Sequence, residues 1–146
     1  MKVTSDPVVR ACPACARSNR VPLAHLADTG RCGACQAALP PVAEPIEVDE
    51  PMFDAVVASA RVPVLVDFWA AWCGPCQQAA PHVERTAQET AGRAIVLKVD
   101  SDANPNLSAR FHVQGIPNFV VISQGKVVRQ QAGLVDSRTM TSWLTE

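Results

Sequence analysis

A chain of 146 residues, 48% apolar and 18% charged, can fill one ordinary domain plus a small appendage, and it is too apolar to be intrinsically disordered. Its formal net charge of −1 excludes the broad basic surface of a general nucleic-acid binder, and its apolar runs fall far short of the roughly 20 residues that a membrane-spanning helix needs. The start, MKVTSDPVVRACPAC, contains no apolar stretch, so no signal peptide is read and a cytoplasmic protein is expected.

All six cysteines fall into C-x-x-C pairs: Cys12/Cys15, Cys32/Cys35 and Cys73/Cys76. A stapled secreted scaffold usually scatters its cysteines. Paired spacing without an export signal points instead to metal binding and redox chemistry. The first two pairs, Cys12-Pro13-Ala14-Cys15 and Cys32-Gly33-Ala34-Cys35, stand 16 residues apart, the spacing of a four-cysteine zinc site. Each tight turn aims two sulfurs at one centre. Four thiolates leave no open position, so one structural Zn²⁺ is expected.

Residues 1–40 are too few to fold around an apolar core alone. Val21, Leu23, Leu26 and Leu39 are expected to cluster beside the metal, with His25 at the surface. The module has five basic and two acidic residues. Four thiolates and one Zn²⁺ reduce that excess to about +1, which favours solvated arginines over a nucleic-acid surface. Residues 40–45, PPVAEP, hold three prolines. Positions 41–45 read as a semi-rigid linker that tethers the module without merging it into the second core.

From residue 46 onward the pattern alternates. Residues 46–48 form a short strand. Asp49 caps a helix to about residue 59, with Pro51 in its first turn and Met52, Phe53, Val56 and Val57 on its apolar face. Residues 62–69 are continuously apolar before Asp67, as in a central strand covered on both faces. A long helix runs from Cys73 to about residue 90. Pro81 inside it removes a backbone donor and should kink it, and Gly92 ends it. Residues 94–99 form another buried strand and 104–110 a short helix. Residues 119–122 and 127–129 form strands around the turn Gln124-Gly125-Lys126. Asp136 caps a last helix. The order βαβαβαββα predicts an α/β fold with a mixed central sheet and helices on both faces.

Chemistry concentrates at Trp72-Cys73-Gly74-Pro75-Cys76. Cysteines at i and i+3 in a first helical turn bridge with little backbone movement, and the helix N-terminus favours the thiolate of the first. Cys73 is therefore the expected nucleophile and Cys76 the resolving thiol. Asp67, a carboxylate on an apolar strand, should have a raised pKa and suits a proton acceptor near neutral pH.

With Asp67-Phe68-Trp69 before it and Gly115-Ile116-Pro117 and Gly133 after it, this stretch resembles the thioredoxin family, over residues 46–146. Together with the four-cysteine module, the chain is most similar to the zinc-containing bacterial members of thioredoxin 2 type. The resemblance implies the thioredoxin fold preceded by a zinc-ribbon-like module, and reduction of protein disulfides. It gives Asp67 the proton-acceptor role through a water, and places Lys98 near that carboxylate. It makes Pro117 a cis-proline facing the dithiol. It places Trp72, Gly74, Pro75, Ile116 and Gly133 in the substrate groove, with Ile116 pairing its backbone to an extended peptide. An NADPH-dependent thioredoxin reductase and disulfide-containing proteins are the implied partners. No bound organic cofactor, nucleic acid or membrane is expected, and the protein should be a monomer. Asn118 stands where threonine is common in the family, and Gln77 where lysine is common.

Two other readings remain. A disulfide oxidase or isomerase usually has histidine where Pro75 stands. A zinc-mediated binding or chaperone-like protein would leave the intact dithiol motif with at most a secondary role. The zinc module itself could sense oxidation or dock substrates.

Overall fold

The computed structural model describes residues 8–145. Residues 1–7, which hold Lys2 and Asp6 of the charge count and the start of the stretch read as lacking an export signal, lie outside the described residues, as does Glu146.

The N-terminal part consists of two antiparallel ribbons. Strands β1 (Val8–Ala11) and β2 (Ser18–Val21) form the first, β3 (Gly30–Arg31) and β4 (Ala38–Leu39) the second. Each ribbon turns through one C-x-x-C pair with the same hydrogen bonds. The amide of Cys12 donates to Arg17 and that of Ala16 to the Cys12 carbonyl, both at 2.8 Å; Cys32 donates to Ala37 at 2.8 Å and Gln36 to Cys32 at 3.0 Å. Ala16 and Gln36 occupy equivalent left-handed positions, with φ of 66° and 65°. Neither is glycine, so each knuckle maintains a conformation costing about 1–2 kcal/mol in an L-residue.

The larger part has five more strands: β5 (Ile46–Glu47), β6 (Val64–Trp69), β7 (Ile95–Asp100), β8 (Asn118–Ser123) and β9 (Lys126–Ala132). They form one sheet in the order β5-β7-β6-β8-β9. β5, β7 and β6 run parallel, and β8 and β9 add antiparallel. Four helices cover it: α1 (Glu50–Ser59), α2 (Gly74–Glu89), α3 (Pro105–Arg110) and α4 (Ser137–Thr145). The expected caps are present. Asp49 accepts from the Met52 amide at 3.0 Å and Asp136 from the Thr139 amide at 2.9 Å. None of the described helices is long and apolar enough to cross a membrane.

Side-chain alternation along β6 divides the core into two layers. Val64, Val66 and Phe68 face Phe53 and Val56 of α1 and Leu107 of α3. Leu65 faces Ala79 and Val83 of α2 and Met140 and Leu144 of α4. Asp67, two residues after Leu65, shares the α2 side, so a carboxylate enters the layer beneath that helix.

The expectation of a merely tethered module is corrected here. Leu23, Leu26 and Val42 are buried in the same apolar cluster as Val48, Phe53 and Val56. Val42, inside the proline-rich stretch, donates its amide to Leu26 at 2.9 Å. A Cβ on Gly92, at φ +85°, would stand 3.5 Å from Pro41, so the stretch lies close against the turn after α2. The expected leucine cluster is divided accordingly. Only Leu39 stays with Cys12 and Cys32, while Leu23 and Leu26 join α1. The metal knuckles are too small to bury four large apolar residues, and the edge of the larger core offers a deeper apolar environment.

Candidate redox centre and metal site

The strand β6 ends at Trp69, Ala70 follows buried, and the chain turns into α2 with Cys73 as its N-cap. Pro75 occupies the first turn, where its missing N–H costs no helical bond. Cys73 and Cys76 are joined as a disulfide with their Cα atoms 5.2 Å apart. The amide of Cys76 donates to Cys73 Sγ at 3.1 Å. That free N–H at a helix N-terminus would stabilise negative charge on Cys73 once the disulfide is opened. Both cysteines are buried, in a small cluster with Ala70, Trp69 and Ile116.

The Ile116–Pro117 peptide is cis, and it brings the Ile116 carbonyl oxygen to 3.7 Å from Cys73 Sγ. Pro117 is buried, and its carbonyl accepts from the Gly133 amide at 2.8 Å. Gly133 has φ +95° and Gly74 has nothing within 4 Å of a would-be Cβ, so both leave the rim open. Trp72 is 71% exposed, and its indole N–H donates to Asp102 Oδ2 at 2.8 Å. Asp102 was not legible as a neighbour, since it follows β7 by two residues and touches Trp72 only through the fold.

Asp67 is 2% exposed, and its Oδ1 has no hydrogen-bond partner among the described residues. Burial pushes its pKa up to about 7, against the pull of Lys98 and with a push from Glu47. Lys98 lies in register with Asp67 on the adjacent β7, and its Nζ stands 4.5 Å from the Trp69 ring centroid. Glu47, in register with Lys98 on the far side, accepts from the Trp69 indole at 3.3 Å. Sequence reasoning missed Glu47, because only strand register connects residues 47, 98 and 67.

Asn118 and Gln77, the departures from the family pattern, have defined partners. Asn118 is buried, donates to the Gly115 carbonyl at 3.4 Å and accepts from Gln130 at 3.1 Å. Gln77 donates to the Ala71 carbonyl at 2.9 Å, bracing the loop before Cys73. His82 accepts from the Ser137 amide and so packs α2 to α4, whereas His25 pairs with Asp28 at the surface.

The ligand atoms of Cys12, Cys15, Cys32 and Cys35 all lie within 4.8 Å of one another. Across the two knuckles, Cys12 and Cys35 sulfurs are 3.7 Å apart and Cys15 and Cys32 sulfurs 3.6 Å apart. A zinc–sulfur bond of about 2.3 Å requires tetrahedral edges of about 3.8 Å, so the four sulfurs fit a Zn²⁺ ion. Amides of Ala14 and Ala34 aim at Cys12 and Cys32, and Asn19 Nδ2 donates to Cys32 Sγ at 3.5 Å. Backbone amides draw the Cys32 thiol down to about 6. The Ala37 amide favours the Cys35 thiolate, yet its neighbouring thiols push it up to about 12. Four thiols this close resist ionising together without a cation.

Comparisons with known proteins agree with both halves. The family model described as Thioredoxin matches residues 44–146, and that described as Thioredoxin 2, N-terminal, matches residues 11–37. The chain is 37% identical to thioredoxin C-3 of Corynebacterium nephridii over 139 residues, covering 95% of this chain and 94% of that protein. It is 37% identical to thioredoxin 2 of Chlorobaculum tepidum over 100 residues, 68% of this chain and 92% of that one. Among solved structures, a mutant thioredoxin from Halobacterium salinarum is similar with a TM-score of 0.66 at 36% identity, covering 70% of this chain and 89% of its own.

Proposed function

The chain belongs to the thioredoxin family of disulfide oxidoreductases, and on that premise we propose that it reduces protein disulfides through Cys73 and Cys76, with a zinc-holding module as a structural brace. The observation that carries this reading is the Cys76 amide donating to Cys73 Sγ at 3.1 Å at the start of α2. It favours thiolate on Cys73 and not on Cys76, which orders the two cysteines.

The reaction starts from the dithiol. Cys73 thiolate attacks one sulfur of a substrate disulfide; a Cys73–substrate S–S bond forms, and the other substrate sulfur leaves and takes up a proton. Asp67 then accepts the Cys76 proton through a water, and the Cys76 thiolate attacks Cys73 Sγ. The second substrate sulfur leaves. Two electrons have passed to the substrate, and the protein retains a Cys73–Cys76 disulfide. Lys98 favours the ionised form of Asp67, the form that can accept this proton. Trp72, Gly74, Pro75, Ile116, Pro117 and Gly133 form the rim that receives an extended peptide, with Ile116 offering backbone groups to it.

An NADPH-dependent thioredoxin reductase restores the dithiol, and no organic cofactor is held by the protein itself. Residues 1–40 hold the metal, 41–45 pack the module onto the body, and 46–146 carry the chemistry. Zn²⁺, held by Cys12, Cys15, Cys32 and Cys35, would supply the cross-link between the knuckles and offset half of their thiolate charge. A reducing, cytoplasmic setting suits four metal-holding thiolates.

Reductase-coupled reduction of insulin disulfides tests the proposal. Wild type should turn over NADPH, and Cys73→Ser should lower the rate at least about 10³-fold, as loss of a nucleophile does. Equal inactivity of wild type and Cys73→Ser, with both folded, would leave a binding protein as the reading.

A further inference from the structure

We propose that Glu47 is a positioning residue for the redox reaction: it competes with Asp67 for the cation of Lys98 and so sets the pH at which Asp67 takes up a proton. This rests on the proton-acceptor reading of Asp67.

The geometry is a cross-strand row. In the register of the sheet, Glu47 of β5 faces Lys98 of β7, and Lys98 faces Asp67 of β6. Register partners on neighbouring strands project to the same side, here the side covered by α2. Lys98 is therefore the middle residue of a cross-strand row flanked by two carboxylate residues, Glu47 and Asp67, a row of charges −, +, −. Glu47 holds a second attachment, the Trp69 indole N–H at 3.3 Å, and Trp69 in turn packs against Ala70, Cys73 and Cys76. The Lys98 ammonium lies over that same indole. Among the described residues, the two neighbouring strands supply the charges that act on Glu47: Lys98 and Asp100 from β7, and Asp67 from β6.

The consequence is electrostatic. With one cation shared between two anions, Lys98 cannot offset the burial of Asp67 in full. Glu47 also repels the Asp67 carboxylate directly. Both effects keep the proton on Asp67 to higher pH. Glu47 itself is shifted upward by burial, with Trp69 and Lys98 opposing that shift. Glu47 belongs to the β5 edge, 20 residues before Asp67, so its identity can vary without touching the dithiol motif.

Glu47→Gln isolates the charge, because the amide oxygen still accepts from Trp69. The full-length zinc protein would be titrated by carboxyl NMR in its disulfide form, and the pH profile of its disulfide-reduction rate measured alongside. The Asp67 midpoint should fall by about half to one pH unit in Glu47→Gln, and the rate profile should shift to lower pH by the same amount. Glu47→Asp, which keeps the charge, should recover most of the wild-type midpoint. An unmoved Asp67 titration in a folded Glu47→Gln protein overturns the proposal. A moved titration with an unmoved rate profile upholds the Glu47–Asp67 coupling and overturns Asp67 as proton acceptor. Loss of the rate with both midpoints unchanged shows that Glu47 acts only by holding Trp69, and also overturns it.

Discussion

Asp67 is a buried carboxyl, and its burial has a consequence measurable in stability. Its folded-state pKa is raised to about 7 from an ordinary value of 3.8, with burial as the first cause. A raised carboxyl means that the native state binds more protons than the unfolded chain between those two values. Stability is therefore fully present below about pH 4, falls as pH rises through the window, and levels off above about pH 7. Asp67→Asn removes the ionisation at the same shape. It should stabilise the oxidised protein above pH 7 by up to about 4 kcal/mol, and the advantage should vanish near pH 4. Denaturant unfolding at pH 4 and pH 8 checks this; an equal effect at both values would mean that Asp67 is not held protonated. Gly133 shows a second residue-scale constraint. At φ +95°, with its amide bonded to Pro117, it tolerates no side chain without strain although the space is open. Gly133→Ala should cost about 1–2 kcal/mol in a melting experiment through backbone strain alone.

At the scale of elements, the legible parts are those in which local chemistry dictates local shape. Asp49 and Asp136 cap helices because a side-chain oxygen at the N-cap satisfies an amide that has no partner. The dithiol turn is readable because an apolar strand, a short loop and a proline at the first helical turn follow one another within a dozen residues. The expected elements appear with ends displaced by a residue or two, and β9 extends to Ala132 where only residues 127–129 were expected. Every residue of β9 is exposed, so no apolar alternation marks its length. Register is the part that local patterns omit. The row Glu47–Lys98–Asp67 and the Trp72–Asp102 bond connect positions 20 to 51 residues apart, and only strand pairing joins them. The knuckles conceal a similar feature, since alanine and glutamine give no hint of the left-handed backbone that the metal-binding turn requires.

Proline content suggested a tether between the two parts, but the molecule closes around that stretch. Prolines specify an extended backbone and do not say whether its side chains are buried. Leu26 is 1% exposed and belongs to the cluster that also holds Phe53, Val56 and Val66, so the module and the sheet share one apolar core. A shared core makes the metal site a contributor to the stability of the redox domain. Removing a zinc-holding thiol, as in Cys32→Ser, should lower the melting temperature of the whole chain in a single transition. Leu26→Ala, which leaves all four thiols intact, should cost about 2–5 kcal/mol and act on that same transition. Calorimetry with and without a chelator measures both. Two separate transitions, with the larger one indifferent to chelator and to Leu26→Ala, would mean that the module melts on its own. A single transition would show that the dithiol centre and the zinc knuckles, which lie in separate side-chain clusters, belong to one cooperative unit.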